Sequence, residues 1–531
     1  MPEFRLLVPI FALLGVLTAN AQQELVPQGN CRLDTTPVPL GGITTTTITG
    51  APFAPFLVAA DIQPGYRFYP GFGSIYLQGT PSLNVPLDGF TYGFPTFPPS
   101  GEAIFSVPLA NLPALDGAFV YSQVVALDPG SPTSLAISNA KSFQFGYADT
   151  YHATIGPMSL ARAFHQTAPL PNGAYIAVGG GNGALLLPVA STTCEIYNPY
   201  LRTFAAAPPM SVARTLHRAT ALDDGRILVT GGCQTFGVPT VSAEIFDPTT
   251  NLWSAPIPMN ASRMAHTATK LNDGRVLVAG GATSFVLTPP TSTNYLPIFQ
   301  ASIDSAEIFD PTTNTFTPVA TPMSAKRFGH AAIVLQNGQV LISGGIRAGQ
   351  TILGSGSPLY AATSDLFDPT TNAFVQVGGH VTNRAVHTLS LLPNGNVLAV
   401  GGAGGSLVVS LGSCESFNPA TNSWATAAPL PLSQTLGLHT ALTLPSGHLY
   451  IAGGAIGAVG AFQGVAVAYT YDPTNGAWTA RTPLPSARQA HTATWTPEGV
   501  LLVGGADQGA PTATPPVAAQ ALSTAILWTP N

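Results

Sequence analysis

Seven histidines stand in register along this 531-residue chain: His165, His217, His266, His330, His387, His439 and His491. Neighbours are separated by 49 residues (His217 to His266) to 64 (His266 to His330). An array of imidazoles is the first place to look for a metal, and an imidazole beside an acid is the first place to look for proton transfer. Arginine stands three residues before the histidine in six units, as Arg162, Arg214, Arg263, Arg327, Arg384 and Arg488; Leu436 replaces it in the sixth. A carboxylate recurs further on in five units, as Glu195, Glu244, Glu307, Asp365 and Glu415, with Tyr469 and Ile526 in the last two. The sixth unit has lost both members together. That points to an Arg–carboxylate pair inside each unit, since pairing to the next unit would leave three mismatches against one.

A catalytic centre occurs once in a chain, whereas these residues occur in every unit. The reading that needs least is the same buried hydrogen bond satisfied seven times and the same bidentate ion pair orienting strands. We therefore expect structural roles for the histidines, arginines and acids, no catalytic residue among them, and no metal or other cofactor. Four cysteines, Cys31, Cys194, Cys233 and Cys414, contain no C-x-x-C spacing, so a zinc or redox motif has no support. Their pairing is open. Cys194 and Cys414 hold equivalent places in the first and fifth units and are expected to lie too far apart to bridge; any bridge would favour Cys194–Cys233, in neighbouring units.

The elements that carry these residues repeat as well. "HTATKL" opens an apolar run, a turn such as "NDG" reverses it, and "RVLVAGG" ends on a glycine pair. "SAEIFDP" follows after a variable loop and stops at Asp-Pro; "TNLW" opens a last run. Proline cannot donate to a ladder, and Asn/Asp-Gly supplies the positive φ of a tight hairpin. Each unit thus reads as four short antiparallel strands a to d. Seven such units around an axis make a propeller. The seventh unit ends at "TAILWTPN" after strand c. The segment near Tyr151 precedes Met158 as Phe316 precedes Met323 and is expected to be the missing strand d, which leaves no open sheet edge.

The glycine pairs, the "FDP" or "YDP" turns and the aromatic after them resemble kelch repeats, and more closely the galactose-oxidase-type kelch propeller, over roughly Tyr147 to Asn531. In copper oxidases of that type a Tyr-His pair at this register supplies two ligands, and a second Tyr cross-linked to Cys completes a radical centre. Here Phe164, Leu216, Ala265, Gly329, Val386, Leu438 or Ala490 precedes the histidine. The copper motif is absent.

The fold class expected is all-β: a seven-bladed kelch-type propeller (residues 147–531) preceded by a small β-sandwich-like domain (22–146). "GAFVYSQVVALDPG" in that domain is similar to a small β module appended to other secreted bacterial proteins, which implies no activity. Residues 1–21 read as a signal peptide, with Arg5, the run "LLVPIFALLGVL" and "ANA" before a cut after Ala21. The expected location is secreted, periplasmic or cell-surface, with no membrane span after cleavage. Only 8% of residues are charged, with 3 Lys against 15 Arg and a net charge of −6, which excludes nucleic acid as an expected partner.

Function is then a question of loops. The a–b and c–d turns are short, so the long b–c loops on one face are where a rigid ring would bind something. The third unit inserts 282–306, the fourth 346–364 and the seventh 506–525. Non-repeating residues there, Phe285, Tyr295, Phe299, Arg347, Tyr360 and Gln508, are the candidate ligand contacts. The function expected is a monomeric, non-enzymatic scaffold binding an unidentified protein or glycan. The alternative is a carbohydrate-active oxidase, epimerase or lyase, which would need a non-repeating acid, His or Tyr cluster at the axis mouth.

Overall fold

The computed structural model describes the strand backbones between Arg32 and Gly146 and, with short gaps, residues 149–530. The expected leader, Cys31, Tyr295 and the side chains of Phe285 and Phe299 lie outside the described residues. Between Arg32 and Gly146 the strands form a three-stranded sheet, a five-stranded sheet and a separate hairpin.

From Thr150 onward seven antiparallel blade sheets follow one another, six of four strands and one, blade 2, whose outer strand is split into two pieces. In blade 2 strand a is Arg218–Ala221, b Ile227–Thr230, c Ser242–Asp247 and d Leu252–Trp253, resumed after a break as Ile257–Pro258; in the other blades d is one piece, as Thr315–Pro318 is in blade 3. Strand b is buried along its whole length in every blade, as its unbroken apolar runs require. Strands c and d are clipped by a pair of cross-strand aromatics, such as Phe309 and Phe316 with ring centroids 4.9 Å apart. The c–d turn is built by Asp-Pro-x-x-Asn: Asp247 Oδ1 accepts from the Thr249 amide at 2.8 Å, and Asn251 adopts φ +56°.

The core lies between blades. Ile176 and Val178 of blade 1 pack with Ile227, Val229 and Phe246 of blade 2. At the closing junction Tyr175 and Tyr197 of blade 1 pack with Leu501, Val503 and Leu527 of blade 7. Strand d of blade 7 comes from the other end of the ring: Thr150–Ala153 pairs antiparallel with Ala525–Thr529, Tyr151 opposite Trp528. Among the described residues no helix is long and apolar enough to cross a membrane.

The glycine pair ties each blade to the next. The second glycine's amide donates to the carbonyl of the following blade's motif residue, at 2.7–2.9 Å in all seven junctions; Gly505 to Arg162 closes the circle. Both glycines have positive φ, +60° at Gly280 and +112° at Gly281. A Cβ on Gly280 would lie 2.7 Å from the Arg327 carbonyl oxygen and 2.7 Å from His330 Cε1. Only glycine admits this approach.

Candidate functional site

The in-register polar residues are spent on the ring. Each motif histidine is buried and meets a hydroxyl of the preceding blade through Nε2 in six of seven junctions. The hydroxyl comes from the first residue of strand a (Thr267 to His330, 3.0 Å; Thr388 to His439, 3.0 Å) or from its cross-strand partner at the end of strand b (Thr230 to His266, 2.9 Å; Ser343 to His387, 3.2 Å). Where strand a opens with Arg218 or Ala331, the opposite residue is the hydroxyl-bearing Thr230 or Ser343. Blade 1 has Gln166 opposite Val178, so His217 has no such partner. Nδ1 of every motif histidine is also without one. Each ring is neutral, and the Nε2–hydroxyl hydrogen bond runs in the direction set by which ring nitrogen carries the proton. Burial and the neighbouring Arg214 push His217 down to about 3, and burial pushes His439 to about 4.

The arginines act inside their own blades. Arg162, Arg214, Arg263, Arg327 and Arg384 pair with Glu195, Glu244, Glu307, Asp365 and Glu415 at 2.6–3.0 Å, all buried. Each also donates to the carbonyl of its blade's first glycine, as Arg263 does to Gly280 at 2.7 Å. The carboxylate caps the d–a connection: Glu195 accepts from the amides of Ser159 and Leu160. Arg488, opposite Ile526, has no carboxylate. Burial lowers it to about 10, against the opposing influence of Tyr151 and Tyr450.

Blade 5 adds a cluster that sequence reading passed over. His380 stands where other blades bury Met158, Met210, Met259, Met323 or Leu484. Its Nδ1 meets Glu415 at 3.2 Å and its Nε2 meets Ser343 Oγ at 3.1 Å. The order Glu–His–Ser is that of a nucleophilic triad. Ser343 has zero exposure, however, and no substrate atom can reach it. The signal for His380 in the sequence was a polar residue at an otherwise apolar register. Cys194, Cys233 and Cys414 are free, buried thiols, each pushed up to about 12 by burial.

At the axis the residue before each histidine has φ near +50° to +60°. Backbone hydrogen bonds run between successive members of this collar, for example Gly329 N to Ala265 O at 2.9 Å. The collar is Phe164, Leu216, Ala265, Gly329, Val386, Leu438 and Ala490, all half-buried and none a metal donor. Among the described residues no group of three or more His, Cys, Asp or Glu is arranged to hold a metal. These side chains do not fit a copper centre at the collar.

Above the collar the b–c connections are raised hairpins. Five form two-stranded ladders, the longest being Ala282–Thr288 with Leu296–Ser302. Phe285 pairs opposite Phe299 in that ladder. Arg347 and Tyr360 share the blade 4 hairpin; Arg347 is exposed, whereas the Tyr360 hydroxyl donates to Gly405 O at 3.3 Å and burial raises it to about 12. Gln508 is exposed in the blade 7 loop. The candidate residues thus lie on three separate blades rather than in one cluster. The same face exposes Val189, Val238, Val241, Val381 and Val409. A shallow groove on the outer edge of blade 2, lined by Arg226, Leu252, Trp253 and Asn314, arises where strand d breaks before Pro256.

A family model described as "Kelch motif" matches residues 214–260, which run from Arg214 through strand d of blade 2. Kelch-like protein 35 of Mus musculus is 27% identical over 203 residues, 38% of this chain and 31% of that protein, so the match spans under a third of the relative's length. A solved structure described as a novel fungal alcohol oxidase with catalytic diversity among the AA5 family, in complex with copper, superposes with a TM-score of 0.53. It is 17% identical, over 72% of this chain and 76% of the other, a likeness of fold alone. A structure described as YjhT has a TM-score of 0.43 and 15% identity, over 60% of this chain and 96% of its own. The Kelch motif match covers blade 2, and the glycine pairs and ring hydrogen bonds that mark that blade recur in all seven blades of the β-propeller.

Proposed function

We propose that this protein is an exported, non-enzymatic scaffold that grips a protein partner with its hairpin face. One observation carries the reading: the groups that could do chemistry are committed to the ring, while the variable hairpins stand on one face with exposed valines. Scattered apolar residues are ordinary on a surface, but several on one face of a rigid ring suit a protein interface. A protein fits better than a glycan because these exposed side chains are aliphatic and the Tyr360 hydroxyl is already tied down. Export rests on the apolar leader read in residues 1–21.

The test compares proteins captured from the surrounding medium by the immobilised full chain, by a V189E/V409E variant and by an outer-edge control, Leu252→Glu. Partners lost only with the hairpin-face variant support the reading. Equal capture by all three overturns it. Copper-dependent peroxide production from an alcohol or sugar would overturn its non-enzymatic half.

A further inference from the structure

We propose that Arg218 makes a binding site for a small free oxyanion, phosphate- or carboxylate-like, inside the axial channel. The inference is independent of what the hairpin face binds. Arg218 opens strand a of blade 2, directly after the motif histidine. In blades 3, 5, 6 and 7 that register is threonine, whose hydroxyl bonds the next blade's histidine. In blade 2 the bond to His266 comes instead from Thr230, the cross-strand partner of Arg218. The ring contact is kept from the other side of the ladder, so the ring does not account for a guanidinium here.

The side chain leans toward blade 3, where Nε donates to the His266 carbonyl at 2.8 Å. No carboxylate among the described residues pairs with it, and the two terminal amino groups have no protein partner there. Its place at the start of strand a and its bond to the His266 carbonyl put it at the inner edge of blades 2 and 3, near the imidazoles of His217, His266 and His330 on which its charge bears. Those imidazoles are all held neutral by burial, so nothing nearby compensates it. A partly desolvated cation without a counter-charge is costly, and a guanidinium offering two adjacent amino groups matches the two oxygens of a carboxylate or phosphate.

The collar gives such an ion a way in. Its smallest member, Gly329, stands with Ala265 in blades 4 and 3, the side toward which Arg218 leans, and the other alanine, Ala490, is in blade 7. A Cβ on Gly329 would meet only Val386, at 3.4 Å, so larger side chains would fit and narrow the passage. Leu216 and Leu438 hold the same register at φ +55°, so a leucine is compatible with the backbone.

Calorimetric titration of the full chain with inorganic phosphate, and separately with acetate, at constant ionic strength tests this. Saturable binding of at least one anion is expected. Arg218→Thr, the residue of four other blades, should weaken it about tenfold or more. Gly329→Leu should weaken it or slow it while leaving Arg218 in place. If neither anion binds the wild type saturably, or if R218T binds as well as wild type, the proposal is wrong. Should R218T fail to fold, unchanged binding by G329L overturns the proposal and weakened binding supports it.

Discussion

Blades 5 and 6 solve the same packing problem with opposite chemistry. In blade 5 Arg384 and Glu415 meet at 2.6 Å in a buried site, and Glu415 also accepts from the Val381 and Thr382 amides. In blade 6 the same two positions are Leu436 and Tyr469, 0% and 4% exposed, within one apolar cluster. The flanking junctions are indistinguishable: Gly402 donates to Leu436 O at 2.7 Å and Gly345 to Arg384 O at 2.9 Å. Ring geometry therefore depends on the backbone carbonyl at this register, not on the charge beside it. Blade 7 shows the half-converted state, with Arg488 retained after its acid has become Ile526. A buried ion pair and a well-packed apolar pair are close in free energy, and a buried charge left alone is not.

The strongest way to break this comparison is to orphan the charge in blade 5. Glu415→Leu leaves Arg384 buried without a carboxylate and strips His380 of a partner. It should cost about 3–5 kcal/mol in urea unfolding at pH 7. A loss under ~1 kcal/mol would show that the pair is not energetically coupled.

Acid should weaken all junctions alike, charged or apolar. The motif histidines are held below their ordinary value by burial, His217 at about 3 and His439 at about 4. Below pH 6.5 the unfolded chain therefore binds more protons than the folded one. Stability is complete above that pH and falls as the pH drops toward 4. The slope is up to ~1.4 kcal/mol per pH unit for each histidine, or about 2 kcal/mol each between pH 7 and 5, so the seven together should cost on the order of 10 kcal/mol, comparable to the whole stability of a folded domain. Glu415, which burial opposes but His380 and Arg384 hold at about 2, adds its loss only below the ordinary carboxylate range. A flat stability profile from pH 7 to 5 would mean that the histidines are not kept neutral.

Completing the conversion of blade 7 is the next test. Arg488→Leu removes an unpaired buried guanidinium and should gain about 2 kcal/mol, read by urea unfolding. A loss of stability would mean that the phenols of Tyr151 and Tyr450 serve as its partners. The smallest effect belongs to blade 1. Val178→Thr places a hydroxyl where Thr230 and Ser343 stand in other blades, and should give His217 its bond for a gain of ~1 kcal/mol.

Much of this architecture was legible because it repeats. The glycine pairs mark places where a Cβ would strike the next blade, and the joint loss of Arg and acid in the sixth unit marks their contact. Tyr151 announced its strand by its distance from Met158, matching Phe316 and Met323. What could not be read was whatever depends on the partner across a ladder. Arg218 and Ala331 look like lapses in a threonine register until Thr230 and Ser343 are seen opposite them. His380 was passed over because its register lies outside the R-x-x-H motif. The candidate ligand contacts were chosen for being unrepeated, which places residues in loops without placing them beside one another; Arg347 and Gln508 fall on different blades.

The central claim is that the repeated polar residues are interchangeable parts of a scaffold. It is tested most directly by writing blade 6 into blade 3: the R263L/E307Y double variant beside Glu307→Gln, both followed by urea unfolding. The account predicts that the double variant stays within ~1 kcal/mol of wild type while the single one loses about 3–5 kcal/mol. A double variant as unstable as the single one would contradict it.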